Sequence, residues 1–363
     1  MKVLHLDTGR TLRGGQQQLL MLARSLRERQ CEQLIVCPED SALASEAAKT
    51  GLEVWKIPRR TIVSLRTLAL LRRIITRRRF AILHAHDGRA QTISWLASSG
   101  LPVFRVASRR VAFLPRFRAI HRLKYTHTCH RVIAVSAFIR DLLVESGILP
   151  EHVEVIPDGV TVPKALPDAS LKAALRRRWR LEESDFVIGH AGAFTKEKGQ
   201  TVLLDAFRML LPSVQNARLM LAGDGSLRES LEAQWFHQPC GNRVQFVGYL
   251  DDLSSLMNCL DLFVMPSLDE GLGSSALMAM AHGVPVVASR VGGLPETVED
   301  GKSGWLVQPG VAADLAQAIT AATDRNRRLA AGREARERAR LFSNDTMAER
   351  TLSLYRSAAK KSR

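Results

Sequence analysis

Short apolar runs recur along the chain with amphipathic segments between them. "KVLHLD" (2–7), "EQLIVCP" (32–38), "LEVWKIP" (52–58), "AILHAH" (81–86), "VFRVAS" (103–108), "RVIAVS" (131–136) and "EVIPDGV" (154–160) read as strands. The intervening stretches from about Gly15 to Arg29, 41–50 and 64–79 carry helical spacing, the last with a core stripe of Leu65, Leu68, Leu71 and Ile75. Such alternation predicts an α/β chain with a doubly wound parallel sheet. A Pro-containing stretch, "TVPKALPDASL" (161–171), interrupts it, and then the alternation restarts. "DFVIGHAGAF" (185–194), "ARLMLAGDG" (217–225), "RVQFVGYL" (243–250), "LDLFVMPS" (260–267), "PVVASR" (285–290) and "GWLVQPG" (304–310) form a second set of strands, and the tail from Val311 to Lys361 reads as helical. The pattern predicts two Rossmann-like halves, 1–160 and 161–345, with 346–363 as a terminal helix packing back toward the first half.

A length of 363 residues, 46% of them hydrophobic and 24% charged, suits two soluble domains. No run is apolar enough to span a bilayer, and the N-terminus lacks a signal peptide's apolar region, so the expected location is cytoplasmic. The five cysteines, Cys31, Cys37, Cys129, Cys240 and Cys259, fit neither a disulfide framework nor a zinc spacing. His121, His127, Cys129 and His130 crowd "HRLKYTHTCHR", but in no common metal pattern, and no metal is expected there.

The net charge of +16 is concentrated in the first half: residues 1–163 hold 26 Lys and Arg against 13 Asp and Glu, the remainder 26 against 23. Between Lys56 and Arg131, 18 basic residues accompany one acid, Asp87. Such a field favours anionic partners: lipid headgroups, phosphorylated acceptors or nucleic acid. Nucleic acid is not expected, because no stacking pattern or recognition helix accompanies the charge and the chain holds only three tyrosines.

Ligands of open α/β sheets gather at the carboxyl ends of strands, so the loops there are the candidate sites. In "DTGRTLRGGQQQLL" (7–20), Gly14 and Gly15 precede a helix whose free N–H groups suit an anion. In "GAFTKEKGQTVLLDAF" (192–207), Lys196 and Lys198 sit ahead of a helix starting at about Gly199, where a lysine opposes the dipole unless an anion joins it. "SLDEGLGSSALMAMAHG" (267–283) offers Glu270 for paired hydroxyls, and Gly271 and Gly273 for close backbone approach at a helix start. "ILHAHDGRAQ" (82–91) ends a strand with His86, Asp87 and Gly88.

Together these stretches, with "VIPDGV", "LAGDGSLRESLE" and "VQFVGYLDDL", resemble the family 4 glycosyltransferases, retaining enzymes with two facing Rossmann-like domains, the B-type glycosyltransferase fold. The resemblance spans almost the whole chain. It implies transfer from a nucleotide-sugar donor without a cofactor or essential metal, with catalytic roles for His86, Lys198 and Glu270. It implies donor contacts from Gly14, Gly15, Gly192, Lys198, Gly223, Tyr249, Leu250, Glu270, Gly271, Leu272, Gly273 and Ser274, an acceptor site in the first domain and donor binding in the second.

Two positions depart from the family pattern. Ala193 stands where an Arg normally joins the lysine on the diphosphate, for which Lys196 or Arg13 are candidate substitutes. Met278 stands where a second Glu normally binds the donor ribose. Arg109, Arg110 and Arg116 are the weaker candidates for the acceptor. "VAFLPRFRAIHRLKY" (111–125) interleaves apolar and basic residues as a membrane-surface segment does, although an ordinary amphipathic helix on the sheet fits equally well. The expected partner is a glycan, glycolipid or phosphorylated acceptor, with peripheral contact to the inner face of the plasma membrane and a role in bacterial cell-envelope polysaccharide or lipopolysaccharide core synthesis. A nucleotide-sugar-binding protein with weak or lost turnover is the alternative.

Overall fold

The computed structural model describes residues 1–363 except 59–63, 113–117, 239 and 362–363. It divides into two compact units, Met1–Gly159 with Asn344–Arg363, and Val160–Ser343.

Unit 1 contains strands β1 (Lys2–Leu6), β2 (Glu32–Pro38), β3 (Val54–Ile57), β4 (Ile82–Ala85), β5 (Phe104–Arg109), β6 (Arg131–Ala134) and β7 (Val153–Val155). Its helices are α1 (Gly14–Glu28), α2 (Ala42–Lys49), α3 (Leu65–Arg78), α4 (Gly88–Ser98), α5 (Arg118–Thr128), α6 (Ala137–Glu145) and α15 (Asn344–Lys361). The seven strands pair in parallel in the order β3-β2-β1-β4-β5-β6-β7. Unit 2 contains β8 (Phe186–Ala191), β9 (Ala217–Ala222), β10 (Val244–Gly248), β11 (Leu262–Met265), β12 (Val286–Ser289) and β13 (Gly304–Val307), in the parallel order β10-β9-β8-β11-β12-β13. Around them lie α7 (Ala169–Arg178), α8 (Gln200–Leu210), α9 (Arg228–Phe236), α10 (Ser254–Met257), α11 (Ser274–Ala281), α12 (Leu294–Thr297), α13 (Ala312–Ala321) and α14 (Arg325–Arg340). The expected α/β class is met, and both sheets are doubly wound.

The burial explains the sequence pattern. Every residue of β8, β11 and β12 is buried, as strands covered by helices on both faces require. In α3 Arg66, Arg72, Arg73 and Arg77 are exposed while Leu71 and Ile75, four apart, sit beneath the sheet-facing side. The predicted stripe needs one correction: Leu65 is 86% exposed, because it occupies the first turn, where the helix has not yet reached its packing partner. "EVIPDGV" is also shorter as a strand than expected. It pairs over Val153–Val155 and then loops, since Pro157 has no N–H for a ladder.

The final helix α15 lies in unit 1, where Met347, Ala348, Leu352, Tyr355 and Ala358 share a core with Val3, Leu22 and Leu26. Arg29 on α1's end reaches Asp345 and Glu349. In both sheets the winding reverses at the centre, between β1 and β4 and between β8 and β11. The crevice at such a reversal is where this architecture leaves room for a ligand.

Candidate functional sites

In unit 2 the loops after β8 and β11 flank the winding reversal. Residues 192–199 leave β8 through a single 3-10 turn at Lys196–Lys198 and enter α8 at Gln200, one residue later than expected, because Gly199 caps it in the left-handed region at φ 69°. A Cβ on Gly199 would meet the Pro266 carbonyl oxygen at 2.1 Å, so the two loops pack backbone to backbone. Leu268 N–H also donates to the Glu197 carbonyl at 2.7 Å. These ties bring Lys198 Nζ within 2.6 Å of Glu270 Oε2, with the two side chains 22% and 12% exposed. Ser267 Oγ donates to the same carboxylate oxygen at 3.3 Å.

His190 is the penultimate residue of β8. Its Nδ1 donates to the Val264 carbonyl at 2.9 Å, and Gln200 Nε2 reaches its Nε2 at 3.2 Å and the Ala193 carbonyl at 2.7 Å. Burial pushes the His190 imidazole down to about 4, so it stays neutral and acts as a strut between strand, loop and helix. Neither His190 nor Gln200 is a sequence-derived candidate; the available signal was a histidine in an otherwise apolar strand. Ala193, half-buried, presents no cation, and Lys196 is exposed.

Glu270 is held from its other side by the loop after β12. Gly293 N–H donates to the Glu270 carbonyl at 3.1 Å, and a Cβ on Gly292 would lie 1.9 Å from that oxygen. Gly271, Leu272 and Gly273 are buried, and Ser274 is exposed at the start of α11, which has no side-chain cap. The uncapped amides leave the helix's positive end beside the Lys198–Glu270 pair. Met278 is half-buried on α11, Tyr249 is 51% exposed, Leu250, Gly192 and Gly223 are half-buried. Asp269 beside Glu270 has its carboxyl raised, first by burial and then by the Glu270 charge.

In unit 1 the loops after β1 and β4 mirror this placement. Asp7 is 1% exposed, accepting from Gly9 N–H and from Gln16 Nε2; burial and then the Asp87 charge raise its carboxyl. Asp87 caps α4 and accepts from Thr8, so it ties the two loops. Gly14 opens α1, with Arg13 exposed at the cap position, and Gly15 follows half-buried. His86 is 7% exposed. Its Nε2 lies 3.1 Å from His5 Nδ1, and burial followed by His84 and His5 drives its imidazole well down.

The candidate acceptor arginines divide. Arg110 Nε donates to Asp158 Oδ1 at 2.9 Å, with the side chains 14% and 9% exposed. Arg109 donates to the buried Tyr125 hydroxyl. Arg116 lies outside the described residues, as does most of the interleaved basic segment before α5.

Among the described residues, one group of three candidate metal ligands forms, His5, His84 and His86, with ligand atoms within 4.8 Å of one another. His84 already binds the Tyr355 hydroxyl through Nδ1 at 2.6 Å and the Ser108 hydroxyl through Nε2 at 2.8 Å. In "HRLKYTHTCHR" the His121 side chain lies outside the described residues. His130 Nδ1 accepts from Arg105 N–H, and burial pushes the Cys129 thiol up to about 12. Among the described residues, no helix is long and apolar enough to cross a membrane.

Two sequence families match. That described as "Glycosyl transferases group 1" matches residues 185–325, and "Glycosyltransferase Family 4" matches residues 12–164. A 2-deoxystreptamine glucosyltransferase of Streptomyces kanamyceticus is 34% identical over 50% of this chain and 48% of its own length. A D-inositol 3-phosphate glycosyltransferase of Geodermatophilus obscurus is 29% identical over 77% of this chain and 67% of its own. The chain thus spans about half to two thirds of the length of these curated relatives. Among solved structures, Anabaena HepE in complex with UDP and glucose aligns over 98% of this chain and 100% of its own, with a TM-score of 0.86 and 25% identity.

Proposed function

Since this chain belongs to the group 1 glycosyltransferases, with two Rossmann-like domains, we propose that it transfers a glycosyl group from a nucleoside diphosphate sugar to an anionic or membrane-associated acceptor, retaining the configuration at the anomeric carbon. The observation that carries this reading is the Lys198–Glu270 pair beside the uncapped start of α11. Breaking the glycosidic bond of such a donor puts growing negative charge on the departing diphosphate, and a preorganised cation with helix amides lowers that barrier. Lys198 supplies the cation, and Glu270 accepts hydrogen bonds from hydroxyls of the transferred sugar. Protein groups take on this charge, so no metal is required in this reading.

Charge supports the acceptor class. Unit 1 carries most of the basic excess, which attracts phosphorylated glycans or anionic lipid surfaces. On that ground we assign the reaction to the inner face of the plasma membrane, in envelope polysaccharide or lipopolysaccharide core assembly.

The deciding experiment is a thermal-shift screen with UDP, GDP, ADP and their hexose conjugates, followed by product analysis. A ligand at a hundredfold its Kd adds about 2.7 kcal/mol to stability. Absence of stabilisation by every nucleoside diphosphate ends the reading. Binding without turnover for all donors supports the second reading, a binding protein of the same fold, which Ala193 and Met278 favour.

A further inference from the structure

The buried polar chain that begins at Gln33 and ends at His86 is fixed in direction by its first link. A backbone carbonyl only accepts, and Gln33 Nε2 donates to the Ala23 carbonyl at 2.8 Å. The amide oxygen of Gln33 therefore faces His5 Nε2, 3.1 Å away. Oxygen accepts, so His5 Nε2 carries the hydrogen. Burial pushes the His5 imidazole down to about 4, leaving it neutral with a bare Nδ1. His86 Nε2 lies 3.1 Å from that bare nitrogen and must donate to it. His86 then keeps its lone pair on Nδ1, an atom that is fully buried and has no hydrogen-bond partner among the described residues.

A buried acceptor left unpaired carries a desolvation cost, and the chain orients this one without satisfying it. The third histidine does not interfere. His84 lies against His86 in a tilted ring contact, centroids 4.1 Å apart, while its own nitrogens are engaged by Tyr355 and Ser108. Nor do the three rings favour a cation, because the Arg110 charge acts on both His84 and His86.

We propose that Gln33, acting through His5, is a positioning residue that fixes His86 as its Nε2–H tautomer, with the lone pair held on the buried Nδ1. The expected effect on turnover rests on the transfer reading above; the tautomer does not. Gln33 and His5 are both buried and act only through the chain.

Histidine-selective 15N labelling with two-bond 15N–1H correlation reads the tautomer directly in the full chain at about pH 7.5, with His86→Gln identifying its signals. The expected wild-type pattern is Nε2–H for His86. Gln33→Leu removes the acceptor for His5 and is expected to give a mixture of both tautomers in a folded spectrum. Gln33→Lys offers His5 a donor instead and is expected to reverse the chain, placing the His86 hydrogen on Nδ1. Wild-type His86 with its hydrogen on Nδ1, a charged His86, or a pure Nε2–H form in Gln33→Leu overturns the relay. So does Zn2+ at micromolar concentration shifting all three histidines, since that requires free nitrogens on each. For turnover, the probe is UDP-glucose, with a glucose-accepting or hydrolytic assay. Gln33→Lys is expected to lower kcat more than tenfold and Gln33→Leu several-fold. Reversed or mixed tautomers with wild-type kcat overturn the role in turnover. The NMR arm needs no substrate, so failure of the transfer reading and failure of the relay are told apart.

Discussion

Lys198 Nζ and Glu270 Oε2, 2.6 Å apart, neutralise each other at the carboxyl ends of two central strands. Each answers the other's charge, so the site avoids the repulsion a lone lysine meets at a helix start. A diphosphate sugar can take over both partners at once, its phosphates meeting the lysine and its hydroxyls meeting the carboxylate. In the proposed reaction, the pair's two members are the groups that the donor engages.

Removing either partner is expected to reduce turnover about 100- to 1000-fold, the usual cost of losing one charge-stabilising group. Lys198→Ala and Glu270→Ala should both remain folded, because the loops are tied by backbone contacts that neither side chain makes. Steady-state kinetics with circular dichroism on each variant checks this; near-wild-type rates refute the site.

Met278→Glu tests how the ribose is held. Met278 is half-buried on α11, so a carboxylate there needs no core to be rebuilt. A charged hydrogen bond gained is worth about 1.5–3 kcal/mol, hence roughly a 10- to 100-fold lower KM for the donor. An unchanged KM means the ribose lies elsewhere.

Stability should fall with acid across a defined window. His5 and His190 have ordinary values of 6.5 and folded values of about 4. Between these the unfolded chain binds more protons than the native one, so stability rises with pH there and is fully present above 6.5. Each contributes about 3 kcal/mol by this linkage. The carboxyls of Asp7 and Asp158, raised chiefly by burial, act in the opposite sense at the acid end. Urea midpoints from about pH 7.5 down to about pH 4.5 check the sign, and a flat profile contradicts it.

Gly292→Ala is expected to cost more than 2 kcal/mol, since φ is 59° and the new methyl would meet the Glu270 carbonyl at 1.9 Å. The urea midpoint and kcat should drop together. A shift in neither shows that the β12 loop can move aside.

Local periodicity revealed most of the architecture. Runs such as "FVIGHA" and "EQLIVCP" are too apolar to lie anywhere but in a sheet covered on both faces, and the glycine loops and Glu270 stood at strand ends for the same reason. What stayed hidden depends on partners far apart in sequence. Leu65 fits the helical stripe yet faces solvent, since periodicity marks a face but not where the neighbouring element stops. The salt bridge of Lys198 with Glu270 spans 72 positions, and the His5–His86 link spans 81; neither spacing leaves a local trace. Nothing local marks Gly292, because its role is set by the carbonyl it faces.

The glycines at 199 and 292 press backbone against backbone, so the loops after β8, β11 and β12 form one interlocked base rather than separate adaptable flaps. Variation in such a base is confined to its edges. In the proposed donor site, differences in sugar or base selectivity among homologous chains are therefore expected at less buried positions such as Ser274 and Met278, while the interlocked floor is unchanged.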